Sequence, residues 1–152
     1  MHMRDARCAA SALAFWGVAF GAAAAEPAAV GPVAVEAVGV RVELNRLEPL
    51  DDACRVYLVL ANGTAEACDA FKLDLVLFDT DGVIARRLAV EAAPLRAQKT
   101  SVKLFDLDAL PCERIGTVLL NDVLACNSAS GPVADCVARI ETASRASAQL
   151  VK

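Results

Sequence analysis

Histidine and tryptophan are almost missing from this 152-residue chain, each occurring once, as His2 and Trp16. Both fall within the first 25 residues, which read as an export signal, so the processed chain is expected to carry no imidazole at all. That excludes Ser-His-Asp and Cys-His catalysis and every zinc site that uses a histidine ligand. Aromatic residues make up only 5% of the sequence, and beyond the signal they are Tyr57, Phe71, Phe78 and Phe105. Stacking platforms for sugars or bases are therefore not expected. Positive charge is short too. The net charge is −4, and without Arg4, Asp5 and Arg7 it becomes −5, from 13 basic and 18 acidic residues. Such a chain has no electrostatic reason to hold nucleic acid or an anionic membrane surface. No C-x-x-C pair occurs, so a thioredoxin-like redox site lacks its basic unit.

What is there begins with the signal. Arg4 and Arg7 precede an apolar run from Cys8 to Ala25, which ends in Ala22-Ala23-Ala24-Ala25 before Glu26-Pro27. A positive start, an apolar middle and small residues at −3 and −1 are what a signal peptidase requires. The cut is placed between Ala25 and Glu26. A retained anchor needs about 20 apolar residues; this run is shorter and is interrupted by Gly17 and Gly21, so no membrane insertion is expected after cleavage. The charges of Asp5-Ala6-Arg7 argue against a lipid anchor on Cys8, and the lack of paired arginines points to the general secretory route. The layout is a signal peptide over 1–25, a flexible leader over 26–34 carrying Pro27, Gly31 and Pro32, and one domain over 35–152. The expected location is the periplasm or the exterior.

From Val35 onward the pattern has a period of two. Val38, Val40, Val42 and Leu44 alternate with polar or small residues. Arg55–Leu60 forms a second strand that is apolar on both faces and so central. Asn62-Gly63-Thr64 supplies a tight turn through positive φ. Phe71, Leu73, Leu75 and Leu77 line one face of a third strand, with Lys72 and Asp74 opposite, and Asp79-Thr80-Asp81-Gly82 closes a hairpin onto 83–90. Thr100–Leu107 alternates with Val102 and Leu104 inward, Ile115–Leu124 is a long apolar strand, and 137–140 and 148–151 supply the last. About seven short strands with turn chemistry between them point to an all-β, immunoglobulin-like β-sandwich.

The stretch Phe71-Lys72-Leu73-Asp74-Leu75-Val76-Leu77-Phe78-Asp79-Thr80-Asp81-Gly82-Val83-Ile84 resembles the strand–turn–strand of FxLYD-type immunoglobulin-like modules of bacterial envelopes. The span from Val40 to Lys152, with Leu119-Leu120-Asn121-Asp122-Val123-Leu124-Ala125-Cys126, resembles uncharacterised alphaproteobacterial exported proteins of the Tat-pathway signal-sequence domain type. The resemblance implies an exported β-domain and brings no catalytic residue with it.

Five cysteines remain after the signal, and in an oxidising compartment disulfides are the default. Cys126 and Cys136 flank a turn-rich loop with Gly131 and Pro132, and closing it would contribute about 3 kcal/mol. Cys54 and Cys112 sit at strand edges and are paired second. Cys68 is left as the free thiol candidate, though it could replace a partner in the second link.

The remaining constellations reduce to structure. Asp79, Asp81 and Gly82 fail as an EF-hand, because Leu77 and Leu88 would occupy the first and twelfth ligand positions. Asp106 and Asp108 lack the aromatic subsites of a glycosidase cleft. Arg86 and Arg87 face opposite sides of a strand and form no single patch. Asn62-Gly63-Thr64 matches a glycosylation sequon but is accounted for by its turn. No cofactor and no metal are expected. The functional expectation is a non-catalytic binding module of the periplasm or envelope whose partner is another envelope protein. Two alternatives stand beside it: a thiol function through Cys68, by redox chemistry or a covalent dimer, and a secreted inhibitor of a basic envelope enzyme.

Overall fold

The computed structural model describes residues Gly39–Lys152. The signal, its cleavage point at Ala25 and Glu26, the leader and the strand residues Val35 and Val38 lie outside the described residues. Among the described residues nine strands form: β1 (Val40–Leu50), β2 (Ala53–Asn62), β3 (Cys68–Asp79), β4 (Ile84–Glu91), β5 (Lys99–Leu107), β6 (Ile115–Ser128), β7 (Gly131–Pro132), β8 (Ile140–Ser144) and β9 (Gln149–Val151). They build two sheets. Sheet A runs β5-β2-β1-β8, and sheet B runs β4-β3-β6-β7 with β9 also on β6. Pairing is antiparallel except for β1 with β8 and β6 with β9. The chain makes one hairpin in sheet A, crosses to make one in sheet B, returns with β5 beside β2 and crosses again with β6 beside β3. This is the immunoglobulin-like order.

Alternation explains why the sheets stack. Val42, Leu44, Val56, Leu58 and Leu60 of sheet A are buried, as are Phe71, Leu73, Leu75, Leu77, Val118 and Leu120 of sheet B. Each set falls on one side of its pleat, so the two apolar faces close on each other and leave the water. The β3–β4 hairpin turns at Gly82, whose φ of +80° suits a residue without Cβ. Asp79 Oδ1 fixes that turn by accepting from the amides of Asp81 and Val83 at 3.0 and 2.9 Å.

Four details depart from the sequence expectation. First, Val102 and Leu104 point outward, and Leu107 is the buried residue of β5. The register explains this: Leu107 and Phe105 lie opposite Cys54 and Val56, whose side chains face the core. Second, Asn62 does not make a tight positive-φ turn; it ends β2 as a buried side chain. Its Nδ2 donates to the carbonyls of Glu66 and Leu95 at 2.8 and 3.2 Å, and its Oδ1 accepts from the amide and hydroxyl of Thr64. That pins the 63–67 loop, and it leaves the sequon amide buried and spent on internal bonds. Third, Cys136–Arg139 is a 3-10 turn, and the strand begins only at Ile140. Fourth, Asp74 is buried although it lies on the outer side of β3. Arg87 grips both carboxylate oxygens at 2.9 and 2.7 Å, and Asn121 donates to one at 2.7 Å.

Those bonds, the two from Arg87 above all, hold the Asp74 carboxyl below its usual range. A group with a depressed folded pKa adds stability that is fully present above its unfolded pKa of about 3.8 and is lost as pH falls through the folded value. Asp74→Asn is therefore expected to destabilise the protein at neutral pH, with a penalty that shrinks by about pH 3. Urea unfolding of both proteins at the two pH values checks it; a penalty constant with pH would contradict it.

Candidate functional site

The structure joins Cys54 to Cys112 and Cys126 to Cys136, with Cα separations of 4.8 and 6.4 Å. The first bond ties β2 of sheet A to the short 3-10 turn Cys112–Arg114 that opens β6 of sheet B. The second closes the loop that carries β7. Two intramolecular disulfides point to an oxidising, extracytoplasmic setting.

Cys68 is free and buried at the start of β3. Burial first, then the carboxylates of Asp69 and Glu66, push its thiol pKa up. A thiol in that state is a poor nucleophile. It borders a cleft of about 410 Å³ at one end of the sandwich, walled by Val40, Phe71, Ile140 and the Cys126–Cys136 bond. The carboxylate of Glu66 at its rim is engaged by the hydroxyl of Ser130 at 2.7 Å. Thr64, Ser128 and Arg139 also line it.

The outer face of sheet A is different in kind. Strand register places three side-chain rows across it. Leu104, Tyr57 and Arg46 form one row, Val102, Val59 and Glu43 a second, and Asp106, Arg55 and Glu48 a third. Val102 is 55% exposed and Leu104 48%, and Val59 and Tyr57 beside them are half-buried. The charges next to these apolar residues on β5, β2 and β1 are held in place. Arg55 grips Asp106 with two bonds of 2.8 and 2.9 Å, and the Arg46 guanidinium lies 5.6 Å from the centre of the Tyr57 ring. The Tyr57 hydroxyl donates to Glu48. Glu43 accepts from Asn45 at 2.8 Å and from Arg145 at 2.9 Å. These bonds lower the carboxyl pKa values of Glu43 and Asp106 and raise those of Arg55 and Tyr57. Asp106 is thus a fixed anion, unsuited to donate a proton.

The sequence-derived site residues are the cysteines, and the structure gathers three of them, Cys68, Cys126 and Cys136, at the end cleft. Val102 and Leu104 are missed by a reading that counts apolar alternation alone. The signal that finds them is Arg55 with Asp106: a cross-strand ion pair puts Asp106 on the outer face, and Leu104 and Val102 share its parity.

No protein-family model matches the chain, and no curated protein matches it in sequence. Among solved structures, IrmA from Escherichia coli is similar in fold. It aligns with a TM-score of 0.52 at 14% identity, over 68% of this chain and 90% of that one.

Proposed function

We propose that this is an exported, non-catalytic interaction module of the cell envelope, which docks another envelope protein on the outer face of sheet A. The observation that carries the reading is the exposed pair Val102 and Leu104 on the edge strand of an ordered, ion-paired face. Exposed apolar residues beside Tyr and Arg, bordered by ordered polar groups, have the composition of a protein-binding surface. Prearranged rim charges lose little side-chain freedom when a partner arrives. The N-terminal export signal and the two disulfides favour the periplasm as the place of action. Catalysis draws no support from the carboxylates of this face, because Asp106 and Glu43 are locked to arginines. The same pairing leaves Glu43, Glu48 and Asp106 of this face little free negative charge for inhibiting a basic enzyme. A thiol function draws none from Cys68, buried with its pKa raised. A photo-cross-linking residue at position 104 is expected to trap one discrete envelope protein in the living cell.

A further inference from the structure

We propose that the partner adds an extended strand to the free edge of β5, and that this strand alternates apolar and acidic residues. The inference rests on the docking reading of the same face. β5 is the terminal strand of sheet A, nine residues long, and no strand pairs with its other edge among the described residues. Its alternate backbone N–H and C=O groups therefore point outward, and an added strand satisfies them while continuing the pleat.

The pleat then dictates the side-chain chemistry. Every second residue of the incoming strand falls on the outer face beside Val102 and Leu104, where apolar side chains extend that exposed apolar pair. The residues between them fall on the inward-facing parity, beside Ser101, Lys103 and Lys99, which lie opposite Leu60, Leu58 and Asn62. Neither lysine belongs to any ion pair among the described residues. On the edge strand of the other sheet, Arg86 has the inward parity opposite Leu77 and reaches the carbonyl of Asp108 at 2.8 Å, next to the end of β5. The nearest acid on β5, Asp106, is on the outer face and already held by Arg55. A chain of net negative charge thus presents unpaired cations along this one edge.

The same lysines exclude the simplest other occupant. In an antiparallel pair of two β5 strands, Lys99 and Lys103 of both copies would share one face, an arrangement that edge strands use to prevent self-pairing. Acidic side chains turn that repulsion into attraction.

The test uses synthetic peptides of about eight residues, the length of an ordinary strand. One repeats Val-Glu and the other Val-Lys. Calorimetry is expected to show the Val-Glu peptide binding roughly tenfold more tightly, since each cross-strand charge pair changes sign between the two. Amide exchange is expected to slow along β5. Lys99→Glu with Lys103→Glu should reverse the preference, which a merely structural role for the lysines would not do. Equal binding of the two peptides, protection confined to another strand, or an unreversed preference in the double variant would overturn the proposal. A dimer of the chain alone with β5 protected would overturn it too. Failure of both peptides while position 104 still cross-links a partner would sink strand addition and leave the docking face standing.

Discussion

Replacing Cys54 and Cys112 together by alanine is expected to cost the folded state about 4 kcal/mol, the chain-entropy value for a closed loop of this size. The bond spans 58 residues of sequence. Without it the unfolded chain regains the freedom of most of β2 to β5, while the folded state loses its covalent link between the sheets. Both sulfurs are buried against the core, so their removal also leaves a gap where packing contacts were. The Cys126–Cys136 bond spans 10 residues, and its loss should cost less, about 3 kcal/mol. Urea midpoints of the two double variants, at constant denaturant slope, decide the order. A larger loss from the short loop would mean that the link between the sheets is not the main staple.

Leu107→Ala is expected to destabilise by about 2–5 kcal/mol, and Leu104→Ala by less than about 0.5 kcal/mol. The two residues lie on the same strand, yet Leu107 is sealed opposite Cys54 while Leu104 stands in water beside Tyr57. The comparison is a direct measurement of register, because a slip of one residue exchanges the two faces of the strand. A larger loss from Leu104→Ala than from Leu107→Ala would place β5 one residue away from the arrangement described, and the docking surface would vanish with it.

How much of this was readable beforehand depends on how each strand is buried. β1 and β3 announce themselves, since Val40, Val42 and Leu44, and Phe71, Leu73, Leu75 and Leu77, are strictly spaced and all buried. The disulfide pairs are those that loop chemistry and strand ends suggest. β5 is ambiguous by its own composition: Val102 with Leu104 and Phe105 with Leu107 offer two apolar faces of similar size. An edge strand with a lysine on the inward parity gives periodicity little to choose between. Asn62 and Asp74 fail for another reason. A polar residue in a strand reads as solvent-facing until its partners are known, and those partners, Leu95 for one and Arg87 with Asn121 for the other, are distant in sequence. The 3-10 turn at Cys136–Arg139 follows from the disulfide and from Asp135, whose left-handed φ of 51° breaks the chain before it. Nothing in the apolar pattern of 137–140 conveys that.

The docking face is the claim on which the functional account stands, and cross-linking from two matched positions tests it most directly. Leu104 on sheet A and Leu124 on sheet B are 48% and 52% exposed. They differ in which face they occupy, and not in hydrophobic character or access. A photoreactive amino acid is placed at each in turn, in cells that export the protein, and adducts are read by mass after irradiation. One discrete adduct is expected from position 104, lost when Val102 is also changed to Asp, and none from position 124. The same adduct from both positions, or one from position 124 alone, would contradict it.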